Sequence, residues 1–156
     1  MKIKRILVPV DFSEPSLDAL DYAVELARAL RSSIEILCVV EPLAYAPLAG
    51  PAIDLGALRA EQERIARARL SALRRDLVGS RVRCRTDLRV GAPYRIIVDR
   101  VAKLPADLVV MGTQGRSGLS HMLLGSVAER VMRSAPCPVL TVRGRSKSRR
   151  RSTKPR

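Results

Sequence analysis

Hydrophobic residues in this chain change their spacing several times, and each change marks an element. Residues 3–10 are aliphatic apart from Lys4 and Arg5, and the run stops at Asp11. A continuous apolar run of that length reads as a parallel strand buried on both faces. Ser13-Glu14-Pro15 then opens a helix, with Ser13 as N-cap and Pro15 in the first turn. Leu17, Leu20, Val24, Ala27 and Leu30 follow at helical spacing to about Arg31. Residues 33–40 form a second aliphatic strand. Residues 41–53 hold three prolines and a glycine, so they read as a long loop, the kind of segment that serves as a binding lid. Leu58, Ile65, Leu70, Leu73 and Leu77 place a second helix over 55–77, its remaining surface rich in arginine. Residues 82–90 alternate, with Arg83, Arg85, Asp87 and Arg89 between less polar positions, as a half-exposed edge strand does. Gly91-Ala92-Pro93 turns into a third helix ending near Lys103. A fourth strand over 106–111, a glycine-rich loop, a helix over 127–134 and a fifth strand over 139–142 complete the order.

Strand and helix alternate throughout, which defines an α/β domain: an open parallel sheet of five strands with helices on both faces, Rossmann-like. Ligands of such sheets bind beyond the carboxyl ends of the strands, where the strand order reverses. Two features lie at such ends. Asp11 follows the first strand. After the fourth come Gly112-Thr113-Gln114-Gly115, nine further residues, and Gly125-Ser126. Glycines let backbone turn tightly and approach a ligand closely. A helix N-terminus beyond them offers unpaired N–H groups and partial positive charge to an anion. Ser126 adds a hydroxyl, either as N-cap or as a phosphate donor.

The spacing glycine, two residues, glycine, nine residues, glycine, serine resembles the ATP-binding motif of the universal stress protein family. Ile6-Leu7-Val8-Pro9-Val10-Asp11-Phe12-Ser13 resembles that family's first strand and turn, and Ala135-Pro136-Cys137-Pro138-Val139-Leu140-Thr141-Val142 its last strand. The resemblance covers residues 2–143 and implies strand order 3-2-1-4-5. It implies that Pro9, Val10 and Asp11 line a base pocket, with Val39 packing on adenine and Met111 beside it. Gly112, Gly115, Gly125, Ser126 and Val127 would hold ribose and phosphates, and Arg116 is the cation of that loop. The implied ligand is ATP, with AMP or a cyclic nucleotide as alternatives. Mg²⁺ or Mn²⁺ would sit on the phosphates with Ser126, since no set of metal-ligating side chains is evident. The resemblance further implies a homodimer paired through Val139, Leu140, Thr141 and Val142.

Each of these residues has a plainer reading. Asp11 could simply form a turn; Val39 and Met111 could be core; the glycines could only bend the chain; Arg116 could be solvated. The loop is no Walker A motif, since no Gly-Lys-Ser/Thr occurs. His121, the sole histidine, has no recognisable catalytic partner. No catalytic residue is assigned, and at most slow ATP hydrolysis is expected. The alternatives are a weak ATPase or nucleotidyl transferase on the same fold, or a nucleic-acid-associated protein. A receiver domain would need an acidic cluster and a lysine that are not evident.

Composition adds compartment and charge. Among 156 residues, three cysteines lie far apart and fit neither a zinc spacing nor a disulfide framework. No apolar run reaches the length of a membrane span, and a cytoplasmic location is expected. Net charge is +14. Residues 1–143 are read as the folded domain. Residues 144–156 contain seven bases and no acid and are read as a disordered basic tail. Such a tail would bind nucleic acid or an anionic surface without sequence specificity. Much of the remaining excess lies in Arg59 to Arg89.

Overall fold

The computed structural model describes residues 2–42, 54–78, 82–113 and 125–144. Nine elements follow in strict alternation: β1 (Arg5–Val10), α1 (Glu14–Leu30), β2 (Ser33–Val40), α2 (Leu55–Val78), β3 (Cys84–Val90), α3 (Pro93–Lys103), β4 (Leu108–Gly112), α4 (Ser126–Ser134) and β5 (Val139–Val142). The strands form one sheet in the order β3-β2-β1-β4-β5, and every pairing is parallel. The fold class and strand order agree with those expected from sequence.

The continuous apolar strands have their reason in two separate cores. One face of the sheet gives Ile6, Val8, Ile34, Ile36 and Val110 to a core closed by Ala19, Leu20 and Ala23 of α1 and Ala66 and Leu70 of α2. The other gives Leu7, Leu37, Val109 and Met111 to a core closed by Ile97 and Val101 of α3 and Ala128 and Val131 of α4. Leu7, Val8, Ile36, Leu37, Val109 and Val110 are fully buried. Each such side chain contributes roughly 1.5–3 kcal/mol by leaving water, so β1, β2 and β4 anchor the domain.

Helix α1 begins where Ser13 and Pro15 predict. It ends at Arg31, which takes the left-handed conformation of a C-cap (φ 54°) and sends its N–H, with that of Ser32, to the last carbonyls. Helix α2 departs from the expected stripe: Leu58 and Ile65 are exposed, whereas Ala66 and Leu70 are buried. Leu58 and Ile65 lie on the flank of α2, and Ala66, Leu70, Leu73 and Leu77 of its second half pack on the core.

One charged group sits inside the second core. Glu35 of β2 is 3% exposed. Arg100 of α3 donates to its Oε1. Arg85 Nε of β3 stands 2.8 Å from its Oε2, as an ion pair without hydrogen-bond geometry. Arg100 also reaches Asp87 at 3.4 Å. The cluster ties α3 to the β2–β3 edge.

Candidate functional site

At the carboxyl end of the sheet the chain leaves β1 toward one face and β4 toward the other, and a cavity of about 560 Å³ opens there. Its lining includes Pro9, Val10 and Asp11 after β1, Val39 of β2, Met111 and Gly112 of β4, and Gly125, Ser126 and Val127 at the start of α4. These are nine of the eleven residues expected from sequence. Gly115 and Arg116 lie outside the described residues, as does His121.

Asp11 holds the turn out of β1. Its Oδ1 accepts the Ser13 N–H at 3.0 Å and the Ser13 hydroxyl. Ser13 is therefore the N-cap of α1 by position, but its hydroxyl serves Asp11 instead of the helix. Phe12, between them, takes a positive φ of 63°, which a non-glycine residue adopts at some cost. So the turn-forming role of Asp11 is real, and it fixes the carboxylate at the cavity wall.

Of the two roles open to Ser126, the structure rules out that of N-cap. Gly125, not Ser126, is the N-cap, and no side chain caps the helix. Ser126 is its first residue. Gly125 gives its N–H to the Thr113 carbonyl at 2.7 Å, and Thr113 gives its own to Val142 at 3.0 Å. Those two bonds tie the end of β4 to the start of α4 and to β5, and they commit the Gly125 N–H. The N–H groups of Ser126, Val127 and Ala128 have no carbonyl of their own helix to bond, and all three residues line the cavity. They supply the positive end of the helix to whatever occupies it.

Gly112 has a structural duty as well. A Cβ there would lie 2.9 Å from both the carbonyl carbon and the oxygen of Pro15. The glycine lets β4 pass directly beneath the first turn of α1.

The rest of the lining divides by chemistry. Leu37, Pro93, Ile97 and Ala128 extend the apolar wall around Val39 and Met111. Sequence reasoning missed the opposite wall, where α2 contributes Gln62, Ile65, Ala66 and Arg69. The Arg69 guanidinium stands 4.3 Å over the Phe12 ring, a cation–π contact that joins α2 to the β1 turn. The available signal was an arginine on the flank of α2 that also carries Ile65 and Ala66. Cys38 is buried at 3% exposure beside the cavity, and no disulfide joins the three cysteines. Among the described residues no cluster of three or more His, Cys, Asp or Glu could hold a metal. No helix among them is long and apolar enough to cross a membrane.

An open parallel sheet with a cavity at its point of strand reversal, polar at a helix N-terminus and apolar opposite, defines a doubly wound α/β domain with a small-ligand crevice. The family model of the universal stress proteins matches residues 2–143, and the chain belongs to that family. Universal stress protein MJ0531 of Methanocaldococcus jannaschii is 35% identical over 142 residues, covering 90% of this chain and 82% of that protein. Universal stress protein UspA from Lactobacillus plantarum superposes with a TM-score of 0.82 at 28% identity, over 92% of this chain and 99% of that one. A universal stress protein solved in complex with cAMP superposes at 0.67 and 26% identity, over 93% of this chain and all of its own.

Proposed function

We propose that this protein is an ATP-binding universal stress protein, a nucleotide-dependent regulatory module of the stress response. The observation that carries the reading is one cavity that joins the Asp11 carboxylate and the apolar pair Val39 and Met111 to the uncapped start of α4. The base would lie against Val39 and Met111, with Asp11 accepting from its amino group or from ribose. The phosphates would meet the N–H groups and hydroxyl of Ser126 and the N–H of Val127, with Gly112, Gly115, Gly125 and Arg116 shaping the loop around them. A divalent ion, Mg²⁺ or Mn²⁺, would be held chiefly by phosphate oxygens, with Ser126 as the protein ligand. The relative in complex with cAMP supports a nucleotide in this crevice. AMP and cyclic nucleotides are the competing ligands. The outer edge of β5 is suited to pair with a second copy across a two-fold axis, through Val139 to Val142.

Asp11→Asn tests the assignment while sparing the turn, because an Asn Oδ1 can still accept from Ser13. Calorimetry should show ATP and AMP both weakened by about tenfold, roughly 1.4 kcal/mol, with the thermal midpoint close to wild type. Unchanged affinity for both would make Asp11 a turn residue only. A wild-type protein that co-purifies with no nucleotide, and binds none, would remove the reading altogether. Steady ATP turnover by the purified protein would favour an enzyme.

A further inference from the structure

The charge of this chain is concentrated. The first 54 residues carry eight acids and five bases, whereas residues 55–90 carry ten arginines and four acids. The structure shows where those arginines go. On α2, Arg64, Arg67, Arg74 and Arg75 fall within about 100° of helical arc and along about 16 Å of axis. The arc turns away from Ala66 and Leu70, which enter the core, and all four arginines are exposed. Among the described residues Arg64 and Arg67 pair with Glu61 and Glu63 of their own helix, in contacts open to water. Leu73 and Leu77, which flank Arg74 and Arg75, pack on the same core as Cys84, so the stripe ends beside the start of β3. Arg83, just before that strand, and Arg85 and Arg89 within it are also exposed, and β3 is an edge of the sheet. No ion pair holds Arg74, Arg75 or Arg83 among the described residues.

We propose that the outer face of α2 and the adjoining edge at β3 form a second binding site, distinct from the cavity, for the phosphate backbone of duplex nucleic acid. The cations are all arginine, whose planar fork matches phosphate oxygens in a way a lysine ammonium does not. Ser71 lies between them on the arc, with Ala60 one turn before it and Ala68 at its border; all three are small and let a rod-like polyanion approach. A bilayer is a poorer match, because membrane-surface helices bring large apolar side chains beside their bases and this arc has none. A single strand is poorer too, since stacking needs exposed aromatic rings. Among the described residues Phe12 is covered by Arg69, and Tyr22 and Tyr94 lie on α1 and α3. The binding is sequence-independent, since phosphate contacts position a protein on a duplex without reading its bases.

The test uses the full chain, so that the basic tail is the same in every protein compared. Arg74→Gln/Arg75→Gln/Arg83→Gln removes three charges from the site. Lys103→Gln/Arg130→Gln/Arg133→Gln removes three from α3 and α4. Anisotropy of a labelled duplex of random sequence is followed from about 50 to about 200 mM salt. The site variant should bind at least about tenfold more weakly at the low end, and its log–log salt slope should be shallower by about 2–3. The control should match wild type. Equal losses in both variants would mean that net charge alone is responsible, and no loss in the site variant would place binding elsewhere; either overturns the proposal. So would a site variant that loses phosphatidylserine vesicles but keeps the duplex. Thermal unfolding confirms that each variant is folded. If the triple variant is not, Arg74→Gln alone should flatten the slope by about 1, and an unchanged slope there overturns the proposal equally.

Discussion

Gly112 is the residue at which the ligand and packing readings of the glycine loop can be separated by experiment. Gly112→Ala adds one methyl group at the end of β4. Gly112 does not take a left-handed angle, so alanine fits the backbone and the cost is one of space. The new Cβ would sit 2.9 Å from the Pro15 carbonyl carbon and oxygen and 3.1 Å from its Cβ. Atoms of this kind rest at about 3.5 Å or more, so roughly 0.6 Å must be found. The obstacle is helix backbone, not the end of a flexible side chain. Helix α1 cannot simply lift, because Ala19 and Ala23 on the same face are fully buried against the sheet.

Overpacking of this sort costs about 1–3 kcal/mol. Alanine recovers about 0.5–1 kcal/mol by restricting the unfolded chain. The net expectation is a loss of about 1–2 kcal/mol, which lowers the melting temperature of a domain this size by roughly 2–8 °C. Urea denaturation without nucleotide is the assay, since it leaves any ligand contribution out. Any displacement of β4 passes to Thr113 and through its carbonyl to Gly125, so ATP affinity should fall as well. A midpoint within about 0.5 kcal/mol of wild type, with affinity alone reduced, would refute the packing argument and leave Gly112 as a residue for ligand approach only.

Two further outcomes follow from charge. Arg100→Met strands the buried Glu35 with only the ion pair to Arg85, and should cost about 3–5 kcal/mol, whereas Glu35→Leu with Arg100→Met should be nearly neutral; denaturant midpoints of both decide it, and equal losses would contradict the paired-charge account. Asp107 accepts the Lys4 N–H at 2.8 Å and the Arg5 N–H at 2.9 Å, and those two bonds hold its carboxyl below the ordinary value. Its stabilisation is therefore complete above the unfolded carboxylate range and is lost as pH falls through the lower folded value. Asp107→Ala should be less stable than wild type at pH 7, the gap closing below about pH 4; a gap independent of pH would show that the carboxylate charge is not involved.

Much of the architecture was legible because this fold announces itself through pattern. The apolar runs around 6–10 and 33–40, the second broken by Glu35, read as buried strands, and Ser13-Glu14-Pro15 and Gly91-Ala92-Pro93 marked helix starts within a residue or two. Strand order was not in the pattern; it came from the resemblance, because parallel strands joined by helices can be wound either way from the first. The stripe of α2 was misjudged at Leu58 and Ile65. Periodicity records which residues share a side of a helix, but not how far that helix runs past the sheet it covers. For the same reason the α2 wall of the cavity, with Arg69 over Phe12, was invisible: it depends on where two distant segments cross.

The cap of α4 shows a different limit. Glycine followed by serine at a helix start is ambiguous, because serine is a good N-cap and glycine a tolerated one. The choice was settled by the carbonyl of Thr113, which takes the Gly125 N–H and sets the helix to begin at Ser126, one residue earlier than a serine cap would allow. That shift moves Ser126 from capping its own helix to facing the cavity. A serine cap would have used its oxygen on an N–H of the second or third helical residue. Left uncapped, the helix keeps those N–H groups and the hydroxyl together on one side of the same space. The local rule that is broken here, a helix start without a side-chain partner, is the one whose satisfaction would have cost the site its donors.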